Sequence, residues 1–269
     1  MAGWAHTSCA PVAARTRHEE DPVERVQVEL DTEGVGRGTV TRYGYWGRPV
    51  LVFPSEAGRA WDFENNGMID AVRDLIDGGR VKLYCVDAFD HVTWSDNSLP
   101  TEERARRHGV YERWILETVV PRIDADSPGH HGIVTTGCSM GAFHAVNFGL
   151  KRPDVFPVAI GLSGNYDPTS WHCWGDLGEA TYFANPCGYV PGMEGEHLDW
   201  VRAHANIVLV VGQGAFEVHP TKSLPGAHQL ADLLAQKQIP HELDVWGDDS
   251  AHDWPWWRKQ LAHHLPRFC

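Results

Sequence analysis

The 269-residue chain lacks several things, and each absence removes a class of protein. It has no apolar run near the roughly 20 residues that cross a bilayer. Positive charge is the scarcer sign, 23 Lys and Arg against 36 Asp and Glu. The resulting net charge of −13 argues against nucleic acid and against an anionic membrane surface as partners, because both attract basic excess. The six cysteines form no C-x-x-C pair, and the opening "MAGWAHTSCAPVAARTRHEEDP" has no continuous apolar segment of the kind that directs secretion. Reduced thiols and a cytoplasmic location are therefore expected. Cys173 and Cys187 share one loop-rich region and form the single pairing worth considering. Sixteen histidines include no H-E-x-x-H, and the doublets His130-His131 and His263-His264 do not share a face on a helix or strand. No metal and no cofactor are expected. Homo-oligomer formation is left open.

What is present is a rhythm. "VERVQVEL" alternates apolar and polar residues as a half-buried strand does. "GRGTVTRYGYWG", "RPVLVFPS", "VKLYCVD", "GIVTTG", "FPVAIGLSG", "ANIVLVVGQG" and "HELDVWG" read as further strands. After the third strand, helical patterns intervene. "GMIDAVRDLIDGG" spaces Met68, Val72, Leu75 and Ile76 on one helical face, and "TEERARRHGVYERWILETVVPRID" carries a long helical pattern with Thr101 as its cap. "LPGAHQLADLLAQKQ" and "DWPWWRKQLAHHL" complete the set. Strands separated by helices predict a mostly parallel sheet with helices on both faces, and the first strands, joined directly, predict an antiparallel start. Residues 1–22 read as a flexible arm and 23–269 as one α/β domain. Residues 165–204 break the rhythm with Gly, Pro and aromatics. A connection of that length predicts a lid-like insert, and its rings (Trp171, Trp174, Tyr182 and Phe183) are expected to leave water.

One short stretch carries chemistry. Gly137-Cys138-Ser139-Met140-Gly141 fits G-x-S-x-G, with a strand pattern before it and a helix pattern after it, the context in which that motif exposes a nucleophile on a tight turn. A βα corner built from small residues is the plain alternative. Cys138 reads as a small core residue. A serine hydroxyl needs a base and an orienting acid. His252 follows the last strand and precedes the last helix, whereas His241 opens a strand and His263 and His264 lie in a helix. Glu217 follows the preceding strand, with Asp167 as runner-up; Asp248, Asp249 and Asp253 stand too close to His252 in sequence. An oxyanion requires preorganised donors, expected from the backbone N–H of Met140 and of Glu56 or Ala57 in "FPSEAGRAW". Trp171, Trp174 and Trp254 are the expected substrate-binding rings, the rest of the twelve tryptophans serving the core.

With these residues in place, "GCSMGAFHAVNFGLKRPDVF", "YFANP", "GQGAFE" and "DVWGDDSAHDWPWW" together resemble the putative-esterase family of α/β hydrolases. S-formylglutathione hydrolases, enterochelin and feruloyl esterases and mycolyltransferases belong to that family. The likeness covers about residues 23–267; relatives often have glycine at the position of Ala142. It implies an α/β-hydrolase fold with Ser139 as nucleophile, Glu217 as acid, His252 as base and an oxyanion loop near Glu56. The expectation is a serine esterase acting on a small-molecule ester through an acyl-enzyme. Two alternatives stay open. One is an acyltransferase using the same three residues, and the other a hydrolase-fold binding protein without turnover.

Overall fold

The computed structural model describes residues 23–32 and 36–269; the expected N-terminal arm, residues 1–22, lies outside them. Eight strands form one sheet: β1 (Arg25–Thr32), β2 (Gly36–Tyr43), β3 (Arg48–Phe53), β4 (Val81–Val86), β5 (Val134–Cys138), β6 (Val158–Leu162), β7 (Asn206–Val211) and β8 (His241–Val245). Their spatial order is β1-β2-β4-β3-β5-β6-β7-β8. β1 pairs antiparallel with β2, and β2 with β4; all other pairs are parallel. Each of the eight expected strands is present.

Between β3 and β4 lie three short helices, α1 (Asp62–Asn65), α2 (Met68–Ala71) and α3 (Arg73–Asp77). A single helix was expected over the last two, but Val72 leaves helical geometry at φ −121°. Met68, Val72, Leu75 and Ile76 are nonetheless all buried as their spacing required. After β4 come α4 (Thr101–Trp114), a π turn at Ile115–Val119 and α5 (Val120–Asp126). Pro121 lacks the N–H that a continuous helix would use, and the wide turn opens the ladder just before it. Thr101 is not the expected cap; it is the first helical residue, after Pro100. Its hydroxyl instead accepts from the Trp174 N–H and from Arg104.

The remaining helices are α6 (Met140–Lys151), α7 (Glu179–Phe183), α8 (Pro186–Tyr189), α9 (Gly195–His204), α10 (Ser223–Gln236) and α11 (Trp254–His264). Strand alternation sorts the core onto two faces. On β7, Ile207, Leu209 and Val211 pack with Ala227, Leu230 and Leu234 of α10. Val208 and Val210 face the other way, toward Trp257 and Leu261 of α11. The central strands are buried on both faces, as a covered parallel sheet requires.

The insert is more ordered than its sequence pattern, carrying α7, α8 and α9. Two residues of α4 hold it. Buried Arg104 donates to the carbonyls of Trp94 (3.0 Å), Trp171 (3.4 Å) and His172 (2.8 Å). Glu102 accepts from the N–H groups of Gly178, Ala180 and Thr181 at 2.9–3.0 Å. The expectation for its aromatics holds for Trp171 alone, whose ring packs edge-on against Phe143 and Trp94. Trp174, Tyr182 and Phe183 remain exposed, the last two edge-on to each other at 5.1 Å between ring centres. Cys173 and Cys187 are both free thiols, and burial pushes the Cys187 thiol up to about 12.

Candidate active site

All six parallel strands end at the same edge of the sheet, and the loops that leave them meet there. β5 delivers Ser139 into the turn before α6 at φ 56° and ψ −118°, a conformation that L-residues adopt only where the surroundings hold it. Three contacts hold it: the Ser139 N–H donates to the Leu162 carbonyl at 2.9 Å, and its own carbonyl accepts from Ala142 at 3.0 Å and from Phe143 at 3.4 Å. The flanking glycines are required by space. A Cβ on Gly137 would lie 2.4 Å from the Gly141 carbonyl, and one on Gly141 would lie 2.3 Å from the Pro54 carbonyl. The turn is therefore wedged between β5, α6 and the end of β3. Cys138, beside the serine, is fully buried, and burial pushes its thiol well up; it is a core residue, as expected.

β7 and β8 bring the other two groups. His252 Nε2 lies 2.9 Å from Ser139 Oγ, and its Nδ1 lies 3.2 Å from Glu217 Oε2. The Glu217 carboxylate is fully buried. Its second oxygen, Oε1, accepts from Ser163 Oγ at 2.6 Å and from the Gly212 N–H at 3.3 Å. With the carboxylate on Nδ1, the imidazole proton is assigned there, leaving the Nε2 lone pair for the serine hydroxyl. The backbone fixes the same register, since the His252 N–H donates to Ala215 at 2.9 Å and the Glu217 carbonyl accepts from Leu224 at 2.9 Å. Such a relay can draw the proton from Ser139 while the buried carboxylate stabilises the imidazolium.

Sequence reasoning missed the groups that orient the acid. Trp257 lies edge-on to His252, with ring centres 5.0 Å apart, and its Nε1–H donates to Ser163 Oγ at 2.9 Å. Ser163 then donates to Glu217, so one donor chain runs from Trp257 through Ser163 to the carboxylate. The available signal was the position of "LSG" directly after a buried strand. The runner-up acid, Asp167, is engaged elsewhere: it accepts from Thr169 and Asn185 within the insert. Asp253 caps α11.

The N–H of Met140 is the first of α6 and has no intrahelical acceptor. Opposite it, Ser55, Glu56, Ala57 and Gly58 form a turn closed by the Gly58 N–H on the Ser55 carbonyl at 2.9 Å. Ala57 takes a positive φ of 53°, and its N–H donates to Asp90 Oδ2 at 3.1 Å. Of the two donors expected from this loop, Ala57 is thus already committed to a protein acceptor. Of the three expected substrate rings, Trp254 packs edge-on to Trp257 at 4.9 Å. Trp174 is exposed, with its indole N–H on the Asn97 carbonyl, and Trp171 belongs to the core packing described above.

One cluster touches the expectation of no metal. Ligand atoms of Asp244, His263 and His264 lie within 4.8 Å of one another. His264 Nδ1 accepts from Arg267 at 2.8 Å, which directs its Nε2 proton to Asp244 at 2.9 Å. With both ring nitrogens engaged and a guanidinium alongside, this donor set does not fit a cation. Among the described residues, no helix is long and apolar enough to cross a membrane.

Fold and site together describe an α/β hydrolase with a Ser-His-Glu hydrogen-bond relay. A family model described as "Putative esterase" matches residues 56–268, and the chain belongs to that family, whose general activity is ester hydrolysis. No curated protein sequence matches the chain. Solved structures share the fold at low identity. A ferulic acid esterase aligns with TM-score 0.67 and 16% identity, covering 91% of this chain and 97% of its own. An S-formylglutathione hydrolase from Agrobacterium tumefaciens gives 0.66 and 14%, covering 90% and 93%. MPT51 from Mycobacterium tuberculosis gives 0.66 and 14%, covering 92% and 97%.

Proposed function

We propose that the chain is a serine esterase that hydrolyses a carboxylic ester of a small molecule through an acyl-enzyme on Ser139. The observation that carries this reading is the unbroken relay of Ser139 Oγ, His252 Nε2, His252 Nδ1 and Glu217 Oε2, at 2.9 and 3.2 Å. Ser139 Oγ attacks the ester carbonyl as its proton passes to His252. The tetrahedral oxyanion accepts from the N–H groups of Met140 and Glu56. His252 then protonates the departing alcohol, and water, activated by the same imidazole, attacks the acyl-enzyme and frees the acid. Trp254 packs on the Trp257 ring that lies against His252 and is assigned to the substrate wall.

The test compares wild type with Ser139→Ala on p-nitrophenyl acetate and butyrate, with fluorophosphonate labelling alongside. Hydrolysis and labelling in wild type, both abolished by the substitution, are expected. Equal turnover by the two proteins would sink the Ser139 mechanism. Added alcohols that divert the acyl group from water would reassign the enzyme as an acyltransferase.

A further inference from the structure

The loop proposed to supply the second oxyanion donor is not self-supporting. Its central residue, Ala57, has the positive φ of 53° that favours glycine, and the Glu56 side chain is exposed. The support comes from the loop after β4. Asp90, 1% exposed, accepts the Ala57 N–H on Oδ2 at 3.1 Å. Its Oδ1 lies 3.1 Å from Nε2 of His144, a fully buried residue of α6 about one turn beyond Met140. Three residues earlier, buried Asp87 accepts the Ala60 N–H at 2.9 Å and the Thr39 N–H at 3.0 Å. The Ala88 N–H returns a bond to the Gly58 carbonyl at 3.1 Å, and Ser95 Oγ donates to Glu56 Oε1 at 2.5 Å.

We infer that Asp90 is a positioning residue for the reaction: its carboxylate fixes the Glu56–Ala57 peptide and ties it, through His144, to the helix that carries Met140. This inference rests on the esterase reading above. A peptide plane in a turn can rotate between two orientations that differ mainly in where its N–H points. Anchoring the Ala57 N–H on a buried anion selects one of them. That choice keeps Ala57 from the substrate oxygen and leaves the preceding Glu56 N–H as the donor facing Met140. His144 belongs to α6, so the two halves of the oxyanion site move as one body. Among the described residues its Nδ1 has no hydrogen-bond partner, and the ring's polar tie there is the Asp90 contact. A buried histidine with one nitrogen unsatisfied is a costly residue for packing alone, and the link across the site accounts for it.

The test begins with wild type. A fluorophosphonate replaces its P–F bond with a P–O bond to Ser139, releasing fluoride and leaving a phosphonyl oxygen where the oxyanion would stand. In 15N-labelled protein, the Met140 and Glu56 amide protons are expected to move downfield on this reaction, and the Ala57 amide to stay. Asp90→Ala is expected to lower kcat about 10²-fold, the scale of one lost oxyanion donor, with KM within about twofold and phosphonylation slowed in parallel. Asp90→Asn retains an oxygen for Ala57, and His144 can switch tautomer to meet its amide; kcat is expected to return to within about tenfold of wild type. No phosphonylation of wild type, or full turnover by Ser139→Ala, would refute the esterase reading itself. With Ser139 reactive, an Ala57 amide that shifts with Met140 would overturn the brace alone. Wild-type kcat in Asp90→Ala would do the same. Should Asp90→Ala not fold, the wild-type spectrum and the Asp90→Asn kcat decide the matter.

Discussion

Ser163→Ala isolates the part of the site that orients the acid. Ser163 has φ 55°, and alanine at that backbone position carries a similar conformational cost to serine, so the substitution removes one oxygen and little else. That oxygen has two neighbours, Glu217 Oε1 at 2.6 Å and Trp257 Nε1 at 2.9 Å. A hydrogen bond to a buried charge contributes about 1.5–3 kcal/mol, and a buried indole N–H left without an acceptor costs about 1–3 kcal/mol. The two terms share one hydroxyl, so a stability loss of about 3 kcal/mol is expected, read by urea denaturation. Glu217 retains the Gly212 N–H at 3.3 Å and its place against His252, so the active site survives in a looser form. A loss of about tenfold in kcat is expected, or about 1.4 kcal/mol of transition-state stabilisation. Trp257→Phe removes the indole donor, and in the double variant the two losses should sum to less than their separate values, by about 1 kcal/mol. Strictly additive losses would refute the donor chain.

Two further perturbations probe how the surroundings are held. Arg104→Met keeps the aliphatic stem but strands the Trp94, Trp171 and His172 carbonyls; a destabilisation of about 3 kcal/mol is expected, with protease cleavage opened between residues 171 and 178. Unchanged cleavage would show that the insert does not depend on this clamp. Burial alone would raise the Glu112 carboxyl, but His108 and Lys151 outweigh it and hold the group at about 2. Its stabilising contribution, on the order of 3 kcal/mol, is therefore complete above about pH 4.5 and lost as pH falls toward 2. Thermal melts from pH 6 downward should show that loss in wild type and a flatter profile in Glu112→Gln; parallel profiles would remove Glu112 from the account.

The sequence reveals some parts of this site and hides others for identifiable physical reasons. The convergence of Ser139, Glu217 and His252 was legible because the first two follow strongly apolar strands and His252 stands between the last strand pattern and the last helix pattern, and strand ends in a parallel sheet converge on one edge. Ser163 also follows such a strand, yet a lone serine in "GLSGN" carries no mark of the indole and carboxylate that meet it. Asp90 is hidden more deeply. Its partners are 33 residues upstream and 54 downstream, and nothing local says that an aspartate in "DAFDHVTW" is buried. The misread helices have local causes. The apolar spacing of Met68, Val72, Leu75 and Ile76 specified which side chains are buried, but it holds equally for two short helices meeting at Val72. The π turn at Ile115–Val119 likewise preserves the apolar face while changing the backbone beneath it, so a periodicity reading runs straight through it.

The acidic excess takes on a second meaning once these contacts are placed. In composition it argues for solubility, since a net −13 keeps molecules apart. In the fold, several of those carboxylates hold backbone. Asp87 and Asp90 grip the N–H groups of Ala60 and Ala57 in the loop after β3. Glu102 grips three N–H groups at the start of α7. Glu217 takes the Gly212 N–H as well as the imidazole. Each is a charged acceptor meeting backbone donors that would otherwise lose water without compensation, the stronger kind of hydrogen bond. Irregular loops have no ladder of their own, so their N–H groups need partners from outside. Carboxylates on neighbouring elements supply them here for the loop after β3 and for the insert, and Glu217 supplies one from within the loop after β7. A search for positioning residues in this chain should therefore begin with its buried acids, ahead of its histidines or tryptophans.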